Sequence, residues 1–166
     1  MMRRKVLAMK AAIRLAVVAI LVSLGFSQTP KAQDSRTCDD VREAVLRYQI
    51  SSWELAAATY CVSVDGKDAD ENFLRRFRPL PVKAASRCKK QRPPKLPKIM
   101  NSVVDKQTKK KSVIFDIGEA RWVKPSEAEV DGGHDCASQC MAGGTYHVVW
   151  DGTRWNITAF DIRVQS

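Results

Sequence analysis

Five cysteines and two histidines supply most of the reactive chemistry in this chain. His134, Cys136 and Cys140 read H-x-C-x3-C, three side chains of the types that ligate zinc, with no fourth ligand nearby in sequence. The same two cysteines can instead bond to each other if a bend brings their Cα atoms within about 6 Å. Cys61, on a predicted strand, and Cys88, at the end of another extended piece, make a second candidate pair. That bridge closes a loop of about 28 residues and stabilises by about 3 kcal/mol in the chain-entropy model. An odd count leaves one thiol over, and Cys38 is the odd one. For Cys136 and Cys140 a disulfide, two free thiols and a metal site all stay open, the disulfide leading in an oxidising compartment. The C-x-x-C spacing of redox-active pairs is absent, and nothing in the pattern calls for a cofactor.

Acid–base chemistry has weaker support. Asp116 and Asp161 sit on predicted strands, each alternating with apolar neighbours. In a pocket between sheet and helix either would act as a general base, with Tyr146 as a hydrogen-bond donor. That role needs a buried carboxylate with a raised pKa, and the same alternation equally suits the solvent face. His147 alternates away from Tyr146 and Val148, towards solvent. No G-x-S-x-G, H-E-x-x-H, P-loop or G-x-G-x-x-G is present. A binding protein is therefore expected ahead of an enzyme.

Charge is unevenly placed. Residues 83–111 hold eleven basic residues and one acidic, Asp105. Lys83, Arg87, Lys89, Lys90, Lys109, Lys110 and Lys111 are the candidate contacts to an anionic surface. Lipid headgroups and cell-wall polymer suit them better than nucleic acid, because no stacking aromatics accompany the lysines. The plain alternative is a solvated loop, with Lys109, Lys110 and Lys111 guarding an edge strand. Trp53, Trp122, Trp150, Trp155, Tyr146 and Phe160 read as core rather than as a pocket lining.

Several elements must position these groups. Val41, Ala44, Val45 and Tyr48 form an apolar stripe at helical spacing and predict a helix over residues 39–53, capped by Thr37. Residues 59–64 read as a strand ended by Asp65-Gly66, and residues 68–77 as a short helix stopped by Pro79. Residues 91–98, with Pro93, Pro94 and Pro97, read as a connector. From residue 99 onward the pattern is β. A parity switch at Gly118 predicts a bulge, and another is predicted near Thr158. Asp151-Gly152 reads as a two-residue hairpin turn pairing Val148 with Trp155 and Tyr146 with Ile157. Cys136 and Cys140 fall in a Gly-flanked bend between strands. The fold class is α+β: an N-terminal helix and a short second helix packed on an antiparallel sheet of about five to six strands.

The compartment is read from the N-terminus. Five of the 28 basic residues lie in residues 1–27, where they precede an apolar run over residues 15–26. That is the layout of a cleavable secretory signal, too short to span a bilayer, which needs about 20 residues. Cleavage after Ser27 leaves 23 basic and 18 acidic residues, so much of the formal +10 charge belongs to targeting. The expected organisation is a signal over 1–27, a flexible segment over 28–37 and one domain over 38–166. An exported protein, periplasmic or secreted, is expected, with an uncleaved membrane anchor as the alternative.

The C-x3-C of Cys136 and Cys140, the Gly143-Gly144-Thr145-Tyr146 link and the Asp151-Gly152-Thr153-Arg154-Trp155 hairpin together resemble a group of uncharacterised exported bacterial proteins. The order of elements, helix first and then a long antiparallel sheet, also resembles the cystatin-like and nuclear-transport-factor-like cone folds. The first resemblance implies export. The second implies a curved sheet around a helix, and neither supplies a catalytic residue. The expected partner is an envelope protein or an anionic surface.

Overall fold

The computed structural model describes residues 35–52, 57–92, 101–137 and 140–165. The expected signal over residues 1–27, residues 28–34 of the segment that follows it, Trp53 and the prolines at 93, 94 and 97 lie outside the described residues. Among the described residues two helices and nine strands follow one another in the order α1 (Ser35–Ser52), β1 (Thr59–Val64), β2 (Lys67–Asp68), α2 (Glu71–Arg75), β3 (Val82–Ala84), a single 3₁₀ turn (Ala85–Arg87), β4 (Cys88–Gln91), β5 (Ser102–Asp105), β6 (Ser112–Lys124), β7 (Glu127–Ala137), β8 (Cys140–Trp150) and β9 (Trp155–Gln165). The class is α+β. Among the described residues no helix is long and apolar enough to cross a membrane.

The four long strands β6 to β9 form an antiparallel meander. The N-terminal strands join it differently. β1 runs parallel to β6, with Thr59 opposite Ser112 and Val64 opposite Ile117, and parallel to β3 on its other flank. The sheet is thus mixed rather than wholly antiparallel. It also has more strands than the expected five to six, because the short β2 and β4 leave no periodic signal. Both bulges fall where parity predicts them: the β6–β7 register shifts between Ile117 and Ala120, and the β8–β9 register shifts beside Thr158.

The final hairpin differs from the two-residue expectation. Trp150 pairs with Trp155 and Val148 with Ile157, so residues 151–154 form a four-residue loop. Asp151 is the cause. Its carboxylate accepts hydrogen bonds from the backbone N–H groups of Thr153 and Arg154 (2.8 and 2.9 Å) and from the Asn156 side chain (2.7 Å). An aspartate closing its own loop in this way displaces the tighter turn.

One sheet face carries the main core. Val41, Val45 and Leu46 of α1 pack with Val62, Phe115, Ile117, Val130 and Tyr146, all buried. Full burial of an aliphatic side chain such as Leu46 contributes about 1.5–3 kcal/mol. Helix α1 starts at Ser35, so Thr37 lies inside it and is not its cap. Gly132 and Gly144 are paired strand residues rather than parts of a bend. A Cβ on Gly132 would sit 2.9 Å from the buried Gln49 amide nitrogen, and one on Gly144 would strike the Asp161 carbonyl. Only glycine lets the helix and β9 approach this closely. On the opposite face Cys61, Cys88 and Val103 form a smaller buried cluster against Ile114.

Candidate functional site

Helix α2 and the strands beside it line a concavity of about 880 Å³. Asp70 starts α2 by accepting from the N–H groups of Asn72 and Phe73, 2.7 and 2.9 Å away. Phe73 and Phe77 are buried edge to face, ring centroids 5.2 Å apart, and hold the helix and its following turn against the core. That leaves Arg75 and Arg78 on the cleft wall. Across from them stand Arg87, at the end of the 3₁₀ turn, and Lys106, in the β5–β6 turn. The Lys106 N–H donates to the Arg87 carbonyl at 2.8 Å, which fixes these two segments together.

The electrostatics rest on two aspartates. Asp105 is fully buried and lies 2.6 Å from the Lys83 ammonium. It also accepts from the N–H groups of Gln107 and Thr108 (2.7 and 2.8 Å) and from the Thr59 hydroxyl (3.3 Å). Lys83, and after it the Thr108 N–H, hold this carboxyl far below the usual range. Asp68 accepts from the Ser86 N–H at 2.7 Å. Its pKa is lowered by Ser86 first and then by the charges of Lys106 and Arg87. Arg75 donates to the Glu71 carbonyl and the Asn72 side chain. Among the described residues Arg75, Arg78, Arg87 and Lys106 form no ion pair. Once Lys83 and Asp105 cancel, these four cations face Asp68 and Glu71. The lining of the cleft is net positive.

This sorts the basic residues read from the sequence. Arg87 lines the cleft. Lys83 does as well, but its charge is taken by Asp105, so it holds structure together rather than waiting for a polyanion. Lys90 is paired with Asp135 at 2.5 Å. Lys89, on β4, and Lys109, Lys110 and Lys111, in the loop before β6, are exposed and outside the cleft lining. Sequence reasoning did not single out Arg75 or Arg78 for the cleft. Arg75, at the C-terminal end of α2, has a sufficient explanation in the helix dipole, and Arg78 lies beyond the helix.

The acid–base candidates do not converge. Asp116 is exposed on the open sheet face, where it accepts from the Ser63 hydroxyl. Asp161 is exposed on the same face, its side chain 72 % accessible, and is paired with His147 at 2.8 Å. Tyr146 points the other way into the core, stacked on Phe160 with centroids 4.2 Å apart. A general base here needs a buried carboxylate near that tyrosine, and neither aspartate provides one. On the open face Asp131 ties three strands together, bonded to Arg121 (2.6 Å), Thr145 (2.8 Å) and Arg163. Arg121 foremost lowers its pKa to about 2. Beside it two shallower hollows, of about 570 and 510 Å³, share Asp116, Gly133, Gly143 and Val164.

The cysteines pair as Cys61–Cys88 and Cys136–Cys140, with Cα separations of 6.1 and 5.4 Å, and Cys38 is the thiol left over. The ligand atoms of His134, Cys136 and Cys140 lie within 4.8 Å of one another. Burial lowers the pKa of His134, opposed by the neighbouring Asp135. Comparison with known proteins gives no matching family model, no matching curated protein and no matching solved structure.

Proposed function

We propose that the chain is an exported, non-enzymatic binding domain of the cell envelope, and that it holds anionic groups of an envelope component in the cleft between α2 and the β5–β6 turn. The observation that carries this reading is four cations, Arg75, Arg78, Arg87 and Lys106, facing one cavity without an ion-pair partner among the described residues. Two guanidinium groups and more suit phosphate or carboxylate oxygens, which they bind in bidentate fashion. Two disulfides in one small domain support a secreted or periplasmic site of action, and the basic, then apolar N-terminus supplies the route there. The absence of a buried carboxylate at Asp116 or Asp161 favours binding over turnover. Among the described residues the exposed Lys89, Lys109, Lys110 and Lys111 stand outside this cleft.

Binding to phosphatidylglycerol vesicles, with phosphatidylcholine vesicles as the control, tests this. With three to four cations engaged, affinity should fall by at least about 20-fold between about 50 and about 200 mM salt. Arg78→Ala combined with Lys106→Ala should weaken binding at low salt by about tenfold or more. Flat salt dependence, or no binding at low salt, removes the proposal.

A further inference from the structure

His134, Cys136 and Cys140 come together for a simple reason. His134 and Cys136 are two apart on β7, the second at the register shift, and both side chains are buried. Cys140 opens β8, where it pairs with Ala137 across a register shift. The three ligand atoms therefore gather at one end of the hairpin, within 4.8 Å of one another. His134 and Cys136 are buried and Cys140 is partly exposed, so the cluster has a dry inner wall and one open side. The Phe115 ring, 6.3 Å from the His134 ring, forms part of that wall. Two sulfurs and an imidazole with a free fourth direction match an open zinc coordination set.

In the disulfide the sulfurs cannot serve as thiolates. Reduction changes that. A dithiol gives two electrons and two protons, the Sγ–Sγ bond breaks, two thiols form, and the dithiol becomes a disulfide. Binding of Zn2+ then displaces both thiol protons to solvent. We propose that His134, Cys136 and Cys140 form a redox-gated zinc site, filled when the C-x3-C pair is reduced and emptied when it is oxidised. The gating is mutual: bound zinc shields the thiolates from oxidation, and the disulfide excludes zinc. The site is separate from the cationic cleft and stands whether or not that cleft binds anions.

The test uses the purified protein carrying Cys38→Ser, which removes the unpaired thiol. A phosphine with water replaces the dithiol, since it delivers the same two electrons and two protons and leaves as phosphine oxide. Zn2+ is titrated in competition with a chromophoric chelator, and Co2+ serves as a spectroscopic probe. The expected result is one Zn2+ per reduced chain, none per oxidised chain, and a near-ultraviolet thiolate-to-cobalt band in the reduced form alone. His134→Gln should weaken Zn2+ by at least about tenfold, since even loss of a group behind a ligand costs that much. Cys136→Ala with Cys140→Ala should abolish the band. Equal binding by oxidised and reduced protein overturns the proposal without any substitution, so poor folding of a variant cannot shield it. Equal affinity of His134→Gln, or a band that persists without Cys136 and Cys140, overturns it as well.

Discussion

The two disulfides fasten different kinds of region. Cys61–Cys88 joins positions 27 residues apart, and both of its cysteines are buried beside Val103. Its flank is strengthened by Asp105, which pairs with Cys88 across β4 and β5 and anchors Lys83 and the β5–β6 turn. Cys136–Cys140 joins positions only four apart, at the tip of a hairpin whose strands pair at nine further positions beyond Ala137 and Cys140. The first bridge constrains the unfolded chain and holds short, weakly paired strands. The second adds little to a hairpin that is held by its own ladder, which leaves its sulfurs available for chemistry. The long-loop bridge and the one proposed to gate zinc thus hold the domain to different degrees.

Removing each bridge tests that contrast most directly. Cys61→Ala with Cys88→Ala should cost about 3–4 kcal/mol, and Cys136→Ala with Cys140→Ala about 2 kcal/mol, on loop length alone. Chemical denaturation of the two variants reads the difference, and equal losses would break the comparison. Next in size is Asp105→Ala, which strands the Lys83 ammonium and the two turn N–H groups. A Tm lowered by at least about 5 °C is expected, whereas Asp135→Ala beside the second bridge should change it much less.

Acid should act in the same direction. Asp105, Asp151, Asp68 and Asp131 all have lowered pKa values in the folded state. Their stabilisation is complete above the unfolded carboxylate pKa of about 3.9 and is lost as pH falls towards the folded values, about 2 for Asp131. Tm should therefore drop below about pH 4, after a smaller decline that begins below about pH 6.5, where the unfolded chain takes up a proton that buried His134 resists. Asp105→Ala should flatten that drop, and an unchanged profile would remove Asp105 from the account. The smallest stability effect is expected for Arg87→Ala with Lys106→Ala, within about 0.5 kcal/mol in the same denaturation assay, together with weaker vesicle binding.

How much of this was legible in the sequence depends on distance along the chain. Gly118 and Thr158 betrayed their bulges because a parity switch is a local signal. The cysteine pairs were legible because few partners were available. Asp151 misled because an aspartate before glycine suits two loop lengths, and side-chain hydrogen bonds decide between them. The parallel pairing of β1 with β6 leaves no local mark. The cleft was half legible: Arg87 lay in the basic run, while Arg75 and Arg78 reach it only through the packing of Phe73 and Phe77.

That parallel pairing also orders events in time. Thr59 cannot meet Ser112 until 53 residues of chain have been made and brought round, whereas each partner in the β6–β9 meander follows its neighbour through a short turn. Loop closure over such a span is slow compared with hairpin formation. On a chain delivered N-terminus first, α1, β1 and Cys61 must wait for the last third of the protein, and the meander becomes the template on which the earlier segments assemble.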